Sequence, residues 1–126
     1  MSGHNVKLGK ESEQEAVKYL KKHGYKIIQE NYRCSFGQID IIAQCKGTIC
    51  FVEVKSRTST DFGTASEAVT QDKQRRLTKT AVYFLKEKDL LDKSARFDVV
   101  CIDKEGGKNV IDVITDAFEM DGRFSY

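Results

Sequence analysis

Three residues on two short apolar runs could do chemistry together: Asp40 in Gln38-Ile39-Asp40-Ile41-Ile42, and Glu53 and Lys55 in Ile49-Cys50-Phe51-Val52-Glu53-Val54-Lys55. Paired carboxylates are hard oxygen ligands for a divalent ion such as Mg2+, which keeps water positions open for a phosphate. A lysine beside them can equally form a semi-buried ion pair with one acid in excess. The spacing alone leaves both readings open.

The elements that must position these residues are two strands. Residues 38–44 and 48–55 are rich in Ile, Val, Phe and Cys and flank Lys46-Gly47, a hairpin pattern. A two-residue or four-residue loop sets Asp40 opposite Glu53 and Gln38 opposite Lys55; a three-residue loop or a bulge breaks that register. Opposed side chains have Cβ atoms roughly 5 Å apart, where like charges destabilise a sheet. Two acids so placed need a cation. Along the second strand Ile49, Phe51, Glu53 and Lys55 share one face and Cys50, Val52 and Val54 the other. A strand apolar on both faces belongs in the centre of a covered sheet, so the charged residues are expected in or beside a core.

Upstream, residues 8–23 read as a helix stopped by Gly24, with Ala16, Tyr19 and Leu20 as its apolar stripe. Glu13 falls on that stripe, whereas Glu11 and Glu15 point away from it. Ser12-x-x-Glu15 is an alternative helix start, a capping box that would reduce Glu13 to a first-turn residue; the earlier start is preferred. Residues 25–33 read as a strand that Cys34–Gly37 turns into the hairpin. Beyond Lys55 lies a polar loop carrying Arg57. Thr64-x-x-Glu67 reads as a capping box opening a helix to about residue 88, with Ala68, Val69, Leu77, Ala81, Val82 and Leu85 apolar. Its cations Lys73, Arg75, Arg76 and Lys79 form either a solvated basic face or a phosphate-contacting one. Strands follow at 96–103 and 109–115 around a Gly-Gly turn, and Asp98 and Asp112 are expected at edges or strand ends. The segment after residue 115 has no readable pattern.

The order is therefore αβββαββ, a mixed α/β sheet flanked by helices. The helical crossover predicts that the strand at 96 runs parallel to the one ending at Lys55. With 126 residues and 40% hydrophobic content, one domain spanning 1–126 is expected. Lys and Arg number 21 against 19 Asp and Glu, which excludes a globally basic binder, so any nucleic-acid surface must be local. No apolar run is long enough for a signal core or a membrane span; a cytoplasmic location without membrane contact is expected. The four cysteines lack a C-x-x-C pair and read as buried thiols rather than zinc ligands or disulfides. His4 is placed in a frayed terminus and His23 near a helix end, and neither is assigned chemistry.

An acid in the second strand, Glu-x-Lys in the third and an inward Glu on the preceding helix resemble the PD-(D/E)XK nuclease superfamily, whose fold is restriction-endonuclease-like. More specifically, the chain resembles the YraN family of uncharacterised bacterial proteins, which are similar to archaeal Holliday junction resolvases. The matching stretches are Gly9 with Glu13-x-x-Ala16-x-x-Tyr19-Leu20, Gly24-Tyr25, Asn31-Tyr32-Arg33, Gly37-Gln38-Ile39-Asp40, Phe51-Val52-Glu53-Val54-Lys55-x-Arg57, Glu67-Ala68-Val69-Thr70-x-x-Lys73-x-x-Arg76-Leu77 and Arg96-Phe97-Asp98-Val99-Val100. Two departures stand out: Gln38 replaces the family's usual Glu, and the proline common before the Glu67 helix is missing, since the chain has no proline at all.

The resemblance implies a metal-dependent endonuclease acting on branched or structured DNA. It implies that Asp40, Glu53 and the Val54 carbonyl hold Mg2+ (or Mn2+), that Lys55 orients or activates the attacking water, and that Glu13 completes the site. Arg33, Arg57, Lys73 and Arg76 are the candidate nucleic-acid contacts, and a homodimer is expected by analogy with resolvases. The alternatives are a non-cleaving nucleic-acid-binding module with a degenerate site, motivated by Gln38, and an interaction protein whose charged cluster is structural.

Overall fold

The structure, a computed structural model, describes residues 3–58 and 69–120. The observed order is α1 (Gly3–Lys22), β1 (Lys26–Cys34), β2 (Gly37–Cys45), β3 (Thr48–Thr58), α2 (Gln71–Glu87), β4 (Ala95–Glu105) and β5 (Lys108–Ile114). The strands lie in chain order, β1-β2-β3-β4-β5, in one sheet. Every pairing is antiparallel except β3 with β4, which is parallel as the helical crossover requires.

α1 begins at Gly3, so His4 lies within the helix and not in a frayed end, and Ser12 is a buried mid-helix residue, not a cap. The helix ends as Gly24 requires: at φ +89° this residue adopts a left-handed conformation, and Tyr25 N–H donates to Leu20 C=O at 3.0 Å. The β2–β3 turn has positive φ at both Lys46 (+51°) and Gly47 (+84°), the two-residue geometry whose twist matches paired strands. The expected register follows, from Cys45↔Thr48 to Ile41↔Val52.

β3 is central and covered on both faces. Ile49 and Phe51 join Phe97, Val99, Leu77, Ala81, Phe84 and Leu85 under α2, while Cys50 and Val52 join Val100, Ile102, Ala16, Val17 and Leu20 under α1. The residues of α2 recur at i, i+4, i+7 and i+8, so one stripe of the helix meets one face of the sheet.

Two expectations are corrected here. α2 starts at Gln71, not near residue 64: Thr70 has an extended backbone and its side chain accepts the Lys73 N–H at 3.2 Å, so the helix is capped there. Buried Val69 precedes the helix, and the Thr64–Glu67 box lies outside the described residues. Asp98 is not a strand-end residue. It is fully buried mid-β4, where its carboxylate accepts from Tyr25 Oη (2.9 Å), Arg96 Nε (3.0 Å) and Asp116 N (2.9 Å). Asp112, by contrast, is exposed on edge strand β5. The segment after β5, which had no readable pattern, is pinned by that contact, by Ala117 N–H on Phe97 C=O (2.7 Å) and by Phe118 stacked on Phe97.

Candidate active site

The site forms where β2 leaves regular alternation. Ile42 and Ile39 both belong to the cluster under α2, while Ile41 and Ala43 belong to the one under α1, so the strand changes face between residues 39 and 41. Asp40 sits at that change. Asn31, flanked by the rungs Glu30↔Ile41 and Tyr32↔Ile39, lies across from it on β1 with φ +53°, a left-handed conformation that asparagine tolerates better than most residues. Both strands are irregular at this point. Asp40 therefore makes no further rung with Glu53; its Oδ2 accepts the Val54 N–H at 2.9 Å, and its Oδ1 takes a long 3.5 Å contact from Gln38 Nε2. Asp40 is held by β3's backbone one position beyond Glu53.

Glu53 follows Phe51 on the α2 face of β3, and the first turns of α2 lie over it. Its Oε1 pairs with Lys73 Nζ at 2.8 Å. Burial, and next the negative charge of Asp40, raise the Glu53 pKa; Lys73 and Lys55 oppose the rise without cancelling it. Lys73 is in turn shifted upward: burial disfavours its charge, but the hydrogen bond and charge of Glu53 outweigh that. Lys55 is shifted the other way, downward, by burial and by the neighbouring Lys73 charge. The cation paired with Glu53 is thus Lys73, where one reading of the sequence placed Lys55.

Glu13 is half-buried on α1. Burial first, then the charge of Asp40, raises its pKa, while a hydrogen bond from Asn31 opposes the rise. Glu11 is exposed, and Glu15 accepts from Asn109 Nδ2 at 2.9 Å and so serves packing against β5. Arg33 is exposed on β1, and its charge reaches Glu13. Arg57 lies further along β3, bound in two contacts of 2.8 and 3.1 Å to Asp103 on β4. Arg76 is exposed and lines, with Gly37, Gln38, Asp40, Glu53, Lys73 and Leu77, an open cleft of about 300 Å3.

The arrangement brings together Asp40, Glu53, Lys55, Lys73 and, through Asp40, Glu13. It leaves Arg57 engaged elsewhere. Two participants were not read from the sequence: Asn31, which steadies Glu13, and Lys73 as the cation of Glu53. An asparagine inside a strand pattern is the signal for the first, because asparagine is depleted in regular strands.

Fold and site define a mixed α/β protein with two carboxylates, Asp40 and Glu53, and the cations Lys73 and Arg76 lining a cleft at the end of a β-meander. The chain belongs to the uncharacterised protein family UPF0102, the YraN-type family, whose model matches residues 12–102. It is 48% identical over 120 residues to a UPF0102 protein of Geobacter metallireducens, covering 95% of this chain and 98% of that one. It is 47% identical over 116 residues to a UPF0102 protein of Syntrophus aciditrophicus, covering 92% and 91% respectively. Among solved structures, that of Pyrococcus furiosus SfsA in complex with Ca2+ is matched with a TM-score of 0.33 and 14% identity; the match covers 82% of this chain and 57% of that one, a little over half its length. Among the described residues no helix is long and apolar enough to cross a membrane.

Proposed function

We propose that the cleft is the active site of a divalent-metal-dependent nuclease that hydrolyses phosphodiester bonds in branched or otherwise structured DNA. The observation that carries the reading is the approach of Asp40 and Glu53 at the end of the β2–β3 ladder, in an open cleft that Lys73 and Arg76 also line. The donor set suits a hard ion: two carboxylates, with the Val54 carbonyl as the third protein oxygen. No group of three or more His, Cys, Asp and Glu side chains at ligating spacing occurs among the described residues, so the remaining positions would fall to water and substrate, as Mg2+ prefers. When bound, Mg2+ (or Mn2+) would supply Lewis-acid stabilisation of phosphoryl charge.

The chain's own groups have separable duties. Val54 N–H fixes one Asp40 oxygen. Lys73 holds Glu53 in place. Lys55, on β3 two residues beyond Glu53, orients the attacking water and stabilises the charge that develops on the phosphoryl group. Glu13, close enough to feel the charge of Asp40, completes the site at its rim or positions a second ion. Arg76 and Arg33 meet phosphates from the exposed side, and a homodimer would present two such clefts to a symmetric junction.

Two features favour a second reading. Gln38 sits against Asp40 without a charge, and Glu53 already has a cation, which suits a nucleic-acid-binding module that does not cut. Labelled four-way junction, flap and linear duplex, each incubated with Mg2+, Mn2+ or EDTA, separate the two readings. Metal-dependent cleavage lost in Asp40→Asn supports the nuclease. Binding without cleavage under every condition supports the module.

A further inference from the structure

The sheet has two open edges, β1 and β5, and they differ. Along β1 the ladder to β2 shifts register between Ile27 and Gln29, and Asn31 takes a left-handed conformation. Irregularities of this kind turn an edge away from further pairing. β5 carries no such break: its seven residues pair with β4 in one unbroken antiparallel register, from Lys108↔Glu105 to Ile114↔Val99. The strand is also held from behind. Ile111 and Val113 pack in the cluster under α1, and Asn109 Nδ2 donates to Glu15 of that helix at 2.9 Å. The opposite face of β5 shows Lys108, Val110 and Asp112 to solvent, Val110 with 44% exposure. Neither Lys108 nor Asp112 enters an ion pair among the described residues.

The backbone of β5 limits how a further strand can pair with it. Gly106 (φ +53°) and Gly107 (φ +80°) form a two-residue turn, which closes on a hydrogen-bonded pair, Glu105 with Lys108. Alternation then gives the N–H and C=O groups of Lys108, Val110 and Asp112 to β4 and turns those of Asn109, Ile111 and Val113 outward. A copy of β5 laid antiparallel across this edge must match inward residues with inward and outward with outward, so the two-fold axis passes through a residue and not between two. Centring on Asp112 sets like charges together, and centring on Ile111 sets Asp112 against Val110. Centring on Val110 sets Lys108 of each copy opposite Asp112 of the other, while Asn109 and Ile111 exchange backbone hydrogen bonds. Opposite charges directly across a ladder stabilise it and like charges destabilise it, so the lysine that discourages a foreign strand selects this register. We infer that β5 pairs with β5 of a second copy about a two-fold axis at Val110, joining two five-stranded sheets into one. Such an axis stands perpendicular to the sheet, so the α2 faces of both copies, with their clefts, open on the same side. The inference gives the homodimer of the nuclease reading its surface, and rests on that reading for the use of the two clefts but not for the pairing itself.

The test is sedimentation equilibrium of the full chain at concentrations up to about 1 mM, so that weak association registers. Wild type should form a dimer. Lys108→Glu and Asp112→Lys should each raise its dissociation constant by about tenfold, because the two-fold axis doubles every changed pair. Lys108→Glu combined with Asp112→Lys restores opposite charges and should return the constant to within about threefold of wild type. Val110→Cys should join two chains through a disulfide under a mild oxidant, since a directly opposed pair has the Cα separation that a disulfide needs. Lys108→Cys, which stands opposite position 112 and not itself, should not, and neither should wild type. All three positions are exposed, so the variants spare the core. A wild type that stays monomeric over the whole range, a dimer that the charge reversals leave intact, a double variant no tighter than the single ones, or equal cross-linking in Lys108→Cys and Val110→Cys overturns the inference. Failure of the nuclease reading is distinct: a dimer with the expected responses that cuts no DNA with Mg2+ or Mn2+ would keep the interface and remove the hydrolase.

Discussion

Glu53 is the residue on which the charge balance of the site turns, because it is buried beside Asp40 and owes its placement to a lysine that comes from another element. Lys73→Met should therefore destabilise the protein by roughly 1–2 kcal/mol, less than a fully buried pair because a third of the Lys73 side chain is exposed. Lys55→Met should leave stability unchanged or raised, since burial and Lys73 already oppose its charge; it should abolish cleavage. Urea unfolding of both variants checks the contrast, and the opposite ranking would mean that Lys55 is the true counter-charge. At a hundred times its dissociation constant, Mg2+ should return about 2.7 kcal/mol to Lys73→Met. Glu13 makes a pH-dependent prediction. Its folded pKa lies above the ordinary 4.5, so its contribution to stability is fully present below that value and is lost as pH rises through the folded pKa. Glu13→Gln should accordingly be more stable than wild type near neutrality, with the gap closing in acid, and should cut about 10- to 100-fold more slowly, whereas Glu11→Gln should not differ from wild type in either assay. Asp40, Glu53 and Lys55 could be picked out at this scale because each is a charge inside an apolar strand run, but the break in alternation at Asp40 could not. Nor could the partner of Glu53, because a lysine on a helix reads the same whether it meets water or a buried acid.

Elements were legible where apolar periodicity was strong and obscure where a side chain did the organising. The β2–β3 turn, the central place of β3 and the parallel β4 follow from Lys46-Gly47, from two apolar faces and from a helical crossover. The start of α2 does not: Thr64-x-x-Glu67 and Thr70 are both plausible caps, and only the accepted Lys73 N–H decides for Thr70. Thr70→Ala should cost about 1 kcal/mol of stability and, by fraying the turn that carries Lys73, should weaken the hold on Glu53; thermal melts and the Mg2+ response read out the two effects. Asp98 was misplaced for a related reason, since an acid interrupting an apolar run resembles a strand end unless its partners, 73 residues upstream and 18 downstream, are known. Asp98→Ala would leave Tyr25, Arg96 and the Asp116 N–H without their acceptor and should cost about 3–5 kcal/mol, enough to lower the urea midpoint sharply. A change under 1 kcal/mol would mean that the network is not what joins the α1–β1 connection, β4 and the segment after β5.

At the scale of the molecule, chain order and sheet order coincide, and among the described residues the β3–α2–β4 crossover alone departs from neighbour-to-neighbour hairpins. That simplicity has a kinetic meaning. Hairpins closed over short loops form before contacts that need a long loop, so β1-β2-β3 should assemble first and the docking of α2 and β4 should limit the folding rate. Asp40 and Glu53 both reside in the early meander, and Lys73 arrives only with the crossover. The folding chain must consequently pass through a stage in which two carboxylates have been drawn together and their protein cation is still absent. A divalent ion present at that moment would serve as a folding template before it served any catalyst, and refolding in stopped flow should accelerate with Mg2+ in wild type but not in Asp40→Asn.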